Sequence, residues 1–442
     1  MDRLSNSFFS LANSFVGCIG LFLAALFQLG VLPIDALAWC LVIFSVYFAF
    51  KVRKNRQILV VAAIITYACY SVASANYINR IPDTVYTTLW QTDFAERGVQ
   101  ALLIFLSVVI LFLPRKIFYF GYKSKLFSRS ESNTLLVAVL TCALISILVF
   151  GFERPDSIGN ARGVSSPIYE YSTILFVVAF YFAGQSRSAK GILSFILLLF
   201  VMQNLVYGGR IIALQLMLVW FFFFVSHATN TRTLIISAFI ALFVFTAVGN
   251  MRTSFFVSDF SDVLSSLTSN FTRGLAWDTA YSAWHTSLTF YGFENTPAGN
   301  SPLRLFGEWL ASIVLGSSAV PESNLPSLTI QYFFHSYGGF LPIYFDYYLG
   351  ILGVTLIAIS ISTLISWINK SSDQRARCTN RTTGDFGRLC CLYVAVTVPR
   401  WFLYSPSQIT RGLLICMAVC AILLWLDKNM SRVLNRSLGN IT

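Results

Sequence analysis

The chain has 442 residues, of which 56% are hydrophobic and only 11% charged, and it carries a formal net charge of +12. Apolar runs of membrane-spanning length recur from end to end between short polar joints, which excludes a soluble globular domain and reads as a polytopic membrane protein. The basic surplus follows the sidedness of that membrane, so it excludes a nucleic-acid surface.

The N-terminus, Met1, Asp2 and Arg3, leads into an apolar run that is long, lacks a small-residue cleavage site and is followed at once by a second. It reads as a retained helix, not a signal peptide. Hydropathy places about twelve transmembrane helices near 8–30, 34–50, 57–75, 98–114, 133–151, 170–184, 191–207, 211–227, 233–249, 341–368, 389–404 and 411–426. The fold class is therefore all-α, a single membrane domain over 1–442. Between the ninth and tenth spans, residues 250–340 form one large outer loop, too long for a connector and so a functional element.

With the N-terminus inside, one set of joints carries Lys51, Arg53, Lys54 and Arg56, then Arg115, Lys116, Lys123, Lys125 and Arg129, then Arg187 and Lys190. Later joints add Lys370, Arg375, Arg377, Arg381, Arg388, Lys428, Arg432 and Arg436. This positive-inside pattern puts both termini in the cytoplasm. On that topology 21 basic and 5 acidic residues lie inside, against 10 basic and 14 acidic outside. All eight lysines fall inside, and every outer basic residue is an arginine: Arg80, Arg97, Arg154, Arg162, Arg210, Arg252, Arg273, Arg304, Arg400 and Arg411. Only arginine offers a planar, permanently charged fork that binds phosphate oxygens in pairs, so the outer face reads as built for a phosphate.

The outer arginines differ in how readily an ordinary role explains them. Arg97 directly follows Glu96, and Arg304 lies one turn before Glu308 on a helix expected over 302–315, so both have a local acidic partner. Arg210 follows Gly208 and Gly209 in a near-minimal hairpin and opens a helix, where backbone amides and the dipole attract anions. Arg400 follows Pro399 inside the eleventh span, and Arg411 opens the twelfth after Ser405, Pro406, Ser407 and Gln408, so the two can flank one outer pocket. In the loop, Val263, Leu264, Leu267, Phe271, Leu275 and Trp284 recur at helical spacing, an interfacial helix with Trp277, Tyr281 and Trp284 in the headgroup layer and Arg273 one turn before Trp277. A snorkelling or salt-bridged arginine is the competing explanation for each of these sites.

His335 stands in an aromatic and glycine-rich stretch just before the tenth span and can take a proton near neutral pH. His227 lies at an inner helix end and His285 on the interfacial helix, and three scattered histidines make no HExxH-type metal site. Asp346 is the intramembrane acid, read as the partner of a bundle arginine such as Arg400. The nine cysteines suggest no disulfide framework and no CxxC metal pair, and no DxD pair is present, so neither a metal nor another cofactor is expected.

Three segments in order, Gly208-Gly209-Arg210 after a tight hairpin, Arg273 with Trp277 in a large outer loop, and His335-Ser336 followed by Gly350 and Gly353, resemble the bacterial O-antigen polymerases and the related O-antigen ligases. The resemblance, which spans nearly the whole chain, implies a type C glycosyltransferase-like membrane fold in the bacterial inner membrane with a partly helical periplasmic loop. It implies a donor of undecaprenyl-diphosphate-linked oligosaccharide held by Arg210 and Arg273, with His335 as the catalytic base or the residue that orients the acceptor; an outer carboxylate is the rival base, and Arg400 and Arg411, from their shared outer pocket, are the further candidates for the diphosphate. Membrane lipid and a chain-length regulator protein are the implied partners. Ligases usually have asparagine where Ser336 follows His335, which favours the polymerase. The alternatives are the ligase, which passes the glycan to lipid A core, and a flippase or transporter of lipid-linked oligosaccharide.

Overall fold

The computed structural model describes residues 2–78, 93–120, 129, 131–153, 164–206, 209–230, 233–234, 279–335, 338–372 and 381–439. Arg273, Trp277, Arg80, Arg154, Arg162, Arg252 and all but the first two residues of the expected span 233–249 lie outside these residues. The described chain is helical apart from one two-residue antiparallel pair, Phe152–Glu153 with Val164–Ser165. Among the described residues seven helices are long and apolar enough to cross a membrane: Leu11–Gln28, Ile34–Val52, Arg56–Ala75, Asp93–Leu111, Arg187–Leu205, Leu341–Ser371 and Ser407–Met430. The protein is thus an all-α, multi-pass membrane protein. Three further expected spans are shorter apolar helices, at Thr134–Phe150, Ser172–Phe182 and Arg210–Val225, the last closing in a π-turn over Phe221–Val225.

The chain forms two compact units. The first comprises Met1–Tyr119, Leu267–Lys370 and Val398–Arg411. Its helices are α1 (Asp2–Gln28), α2 (Ile34–Val52), α3 (Arg56–Ile78) and α4 (Asp93–Leu111), then α10 (Thr279–Phe293), α11 (Pro302–Leu315), α12 (Leu325–Thr329), α13 (Leu341–Ser371) and α15 (Val398–Leu403). Here α1 packs along α4 and α2 against α3, while α10 lies on both α3 and α4. The glycines Gly17 and Gly20 of α1 bring its backbone against Ser107 of α4, the small-residue contact that serves helix packing where lipid supplies no hydrophobic drive.

The second unit comprises Phe120–Ser266, Ser371–Thr397 and Gly412–Thr442. It holds α5 (Thr134–Phe150), α6 (Pro167–Glu170), α7 (Ser172–Phe182), α8 (Arg187–Val206), α9 (Arg210–Trp220), α14 (Arg381–Val396) and most of α16 (Ser407–Gly439). Asn133 caps α5 by accepting from Leu136 N at 3.1 Å, and its Nδ2 donates to Asp427 Oδ1 of α16 at 2.8 Å. Arg129 joins the same carboxylate at 3.0 Å. Tyr181 Oη of α7 donates to Asp385 of α14 at 2.7 Å, and Arg388 pairs with that aspartate at 3.1 Å. Each buried charge is therefore matched, as a low-dielectric interior requires.

Two expectations need correction. The eleventh span, expected unbroken over 389–404, is two helices, α14 and α15, divided at Thr397. Pro399 has no N–H to give the preceding turn and its ring crowds the carbonyl four residues back, so a fresh helix starts at Val398 with proline in its first turn. The interfacial helix also fails in its described part. In α10 every residue from Ala280 to Phe293 except the half-buried Ser282 is buried, and Tyr281 and Trp284 are 2% and 1% exposed, so neither lies in a headgroup layer.

Candidate functional site

The polar residues of α10 explain its burial. Thr286 and Ser287 donate back to the carbonyls of Ser282 and Ala283 at 3.0 and 2.8 Å, and Thr289 donates to that of Thr286 at 2.7 Å. Short hydroxyls satisfied by their own helix can enter a core at little cost. Ser287 Oγ also accepts from Phe340 N at 2.7 Å, tying α10 to the segment that opens α13. On the other side Gly339 N donates to Leu403 O of α15 at 3.0 Å, and Tyr344 Oη donates to Gly338 O at 3.2 Å and Tyr404 O at 2.8 Å. Gly338 and Gly339 have φ of 99° and 146°. A Cβ on Gly339 would sit 2.8 Å from Phe290, so only glycine fits between these helices.

His335 precedes that tie. It is 4% exposed, and its Nε2 lies 2.9 Å from Thr329 Oγ1 at the end of α12, with either atom able to donate. Burial lowers its pKa to about 4, so it is neutral at physiological pH. His285 of α10 is lowered further, to about 3, by burial and by the neighbouring His335. A neutral imidazole is the proton-accepting form that the sequence reading asks of His335.

Ahead of the kink in α13, Asp346 has a side chain only 5% exposed. Its partner is Arg97 of α4, not the Arg400 that the sequence suggested. Arg97 Nε donates to Asp346 Oδ2 at 2.8 Å and its Nη2 to Asp346 O at 3.3 Å. Nη1 donates to Glu294 Oε2 at 2.9 Å, and the guanidinium lies 4.3 Å from the centre of the Tyr291 ring. Arg97 thus pairs with two acids far along the chain instead of its neighbour Glu96, and its fork is fully engaged. The helix then breaks its own geometry at Gly350, where φ is 61° and ψ −151°, a region open to glycine and strained for other residues.

Arg304 pairs with Glu308 at 3.1 Å, as the one-turn spacing predicts, and also with Glu322 at 2.7 Å. Arg400, in α15, is half-buried, and its carbonyl accepts from Tyr404 N and Ser405 N at 2.9 and 3.0 Å. Arg411 reaches the end of α11, where its Nη1 lies 3.3 Å from the position a Cβ on Gly316 would take. The negative end of the helix dipole favours a cation there. His335, Arg400 and Arg411 belong to the first unit, and Arg210 to the second.

Arg210 is the first residue of α9, as expected. Its N-cap, Gly209, accepts from Ile212 N at 3.0 Å and donates to Asn204 O at 2.7 Å. A Cβ at Gly209 would run into Asn204 Oδ1. Asn204 cannot yield, because its Nδ2 donates to Tyr169 Oη and to Phe200 O, both at 2.8 Å. The half-exposed Arg210 side chain makes no ion pair or hydrogen bond among the described residues. It stands at the positive end of a helix held by a rigid corner, an arrangement suited to an anion.

Sequence reasoning under-ranked Arg97. An intramembrane acid requires a cation from another helix, and Arg97, at the start of an apolar span, was as eligible as Arg400. No protein-family model, curated protein or solved structure matches the chain.

Proposed function

We propose that this protein is an inner-membrane glycosyltransferase of the O-antigen polymerase type, with twelve spans, both termini cytoplasmic and its chemistry at the periplasmic face. The observation that carries the reading is Arg210: a half-exposed arginine on the first turn of a helix, built into a glycine corner and left without a partner among the described residues. Contrast with Arg97 sharpens it. Arg97 neutralises internal acids, whereas Arg210 meets no acid among the described residues.

The donor is the growing glycan on undecaprenyl diphosphate. A hydroxyl of an incoming lipid-linked repeat unit attacks the anomeric carbon, the bond from that carbon to the diphosphate oxygen breaks, and configuration inverts. Negative charge grows on the departing diphosphate. Arg210 and Arg273 stabilise it, aided by Arg400 and Arg411, and with no DxD pair in the chain the arginines do this without a divalent ion. His335, neutral above about pH 4, takes the hydroxyl proton.

The reading is tested by giving the purified protein synthetic undecaprenyl-diphosphate-linked repeat units and resolving the products by length. Ladders that form equally in EDTA are expected. Units that stay single, or a strict need for added magnesium, would overturn it. In cells, deletion separates the ligase: loss of a polymerase leaves one repeat unit on the core, loss of a ligase leaves bare core.

A further inference from the structure

A second cluster of reactive side chains lies in the second unit, unrelated to the arginines. Cys416 and Cys420 stand one turn apart on α16, and Cys390 comes from α14. All three are fully buried, and their Sγ atoms lie within 4.8 Å of one another, those of Cys416 and Cys420 at 3.9 Å. The sulfurs are free thiols. No histidine or carboxylate joins the group among the described residues.

The geometry points to a three-sulfur site for a soft monovalent ion, copper(I). A metal–thiolate bond of about 2.3 Å places three sulfurs in a plane about 4.0 Å apart, close to the spacing found. Thiolate donors select copper(I) and zinc, but zinc is almost always tetrahedral and would need a fourth ligand that the cluster lacks. Each thiolate formed on binding releases one proton, so occupancy rises with pH.

Cys391 provides the control: it is the next residue to Cys390, equally buried, and outside the trio. The full-length protein, reduced and in detergent, is titrated anaerobically with copper(I) against a competing copper(I) chelator, then alkylated and mapped by mass spectrometry. One ion per chain is expected, with protection confined to Cys390, Cys416 and Cys420 and three sulfurs in the X-ray absorption spectrum. Cys416→Ser should weaken binding at least tenfold, and Cys391→Ser should leave it unchanged. The wild-type protection pattern decides the matter even if Cys416→Ser fails to fold. Failure to hold copper against the chelator, protection of other cysteines, equal loss in Cys391→Ser, or tighter binding of zinc at the trio would each overturn the assignment.

Discussion

Replacing Arg97 by methionine strips Asp346 of its only ion-pair partner among the described residues while keeping most of the side-chain volume. The Asp346 side chain is 5% exposed, so its carboxylate would be left charged in a medium that cannot solvate it, at a cost of about 3–5 kcal/mol. Glu294 is different: its side chain is 28% exposed and water can replace the lost guanidinium. Glu294→Gln should therefore cost about 1 kcal/mol. Combining Arg97→Met with Asp346→Asn removes both charges and should recover most of the loss, because the penalty belongs to the orphaned ion and not to the pair. Reversible unfolding in mixed detergent micelles, followed by tryptophan fluorescence, measures all four proteins. If Arg97→Met cost no more than Glu294→Gln, or the double variant were no more stable than Arg97→Met, the charge argument would be wrong.

Acid should unfold the first unit through its histidines. The folded state holds His335 at about 4 and His285 at about 3, below an unfolded value near 6.5, so neither affects stability above about pH 6.5; as pH falls toward 4 the unfolded chain takes up protons first and the fold loses on the order of 3 kcal/mol per histidine. Thermal melts from pH 7 to 4.5 check this, and a flat profile contradicts it. Gly209→Ala drives a methyl into the braced Asn204 and should destabilise by about 1–3 kcal/mol, with chain extension falling as Arg210 is displaced. Arg304→Ala breaks two ion pairs whose arginine is 53% exposed and should cost under about 1 kcal/mol; a larger loss in the same unfolding assay would show that the salt bridge is coupled to packing.

Hydropathy was enough to locate most helices, because a bilayer demands a long apolar run and polar joints end it. The expected 34–50 is Ile34–Val52, and the expected 302–315 is Pro302–Leu315, stopped at Gly316 with φ 93°. What composition and spacing do not carry is which helix meets which. Arg97 reads locally as a partner for Glu96, yet its acids lie 197 and 249 residues away. Likewise Cys416 and Cys420 are visibly one turn apart, but Cys390 joins them only through helix packing. In the described end of the outer loop, Tyr281 and Trp284 read as headgroup-layer aromatics but are buried, because Thr286, Ser287 and Thr289 beside them bond to their own helix and need no water. The helix start at Arg210 was legible because its setting is local, two glycines before an apolar run.

If Arg210 holds diphosphate through its planar fork, Arg210→Lys keeps the charge and loses the grip. In the purified extension reaction on undecaprenyl-diphosphate-linked repeats, the lysine variant should be slower by about tenfold or more. Extension at the wild-type rate would show that the guanidinium fork plays no part in holding the diphosphate.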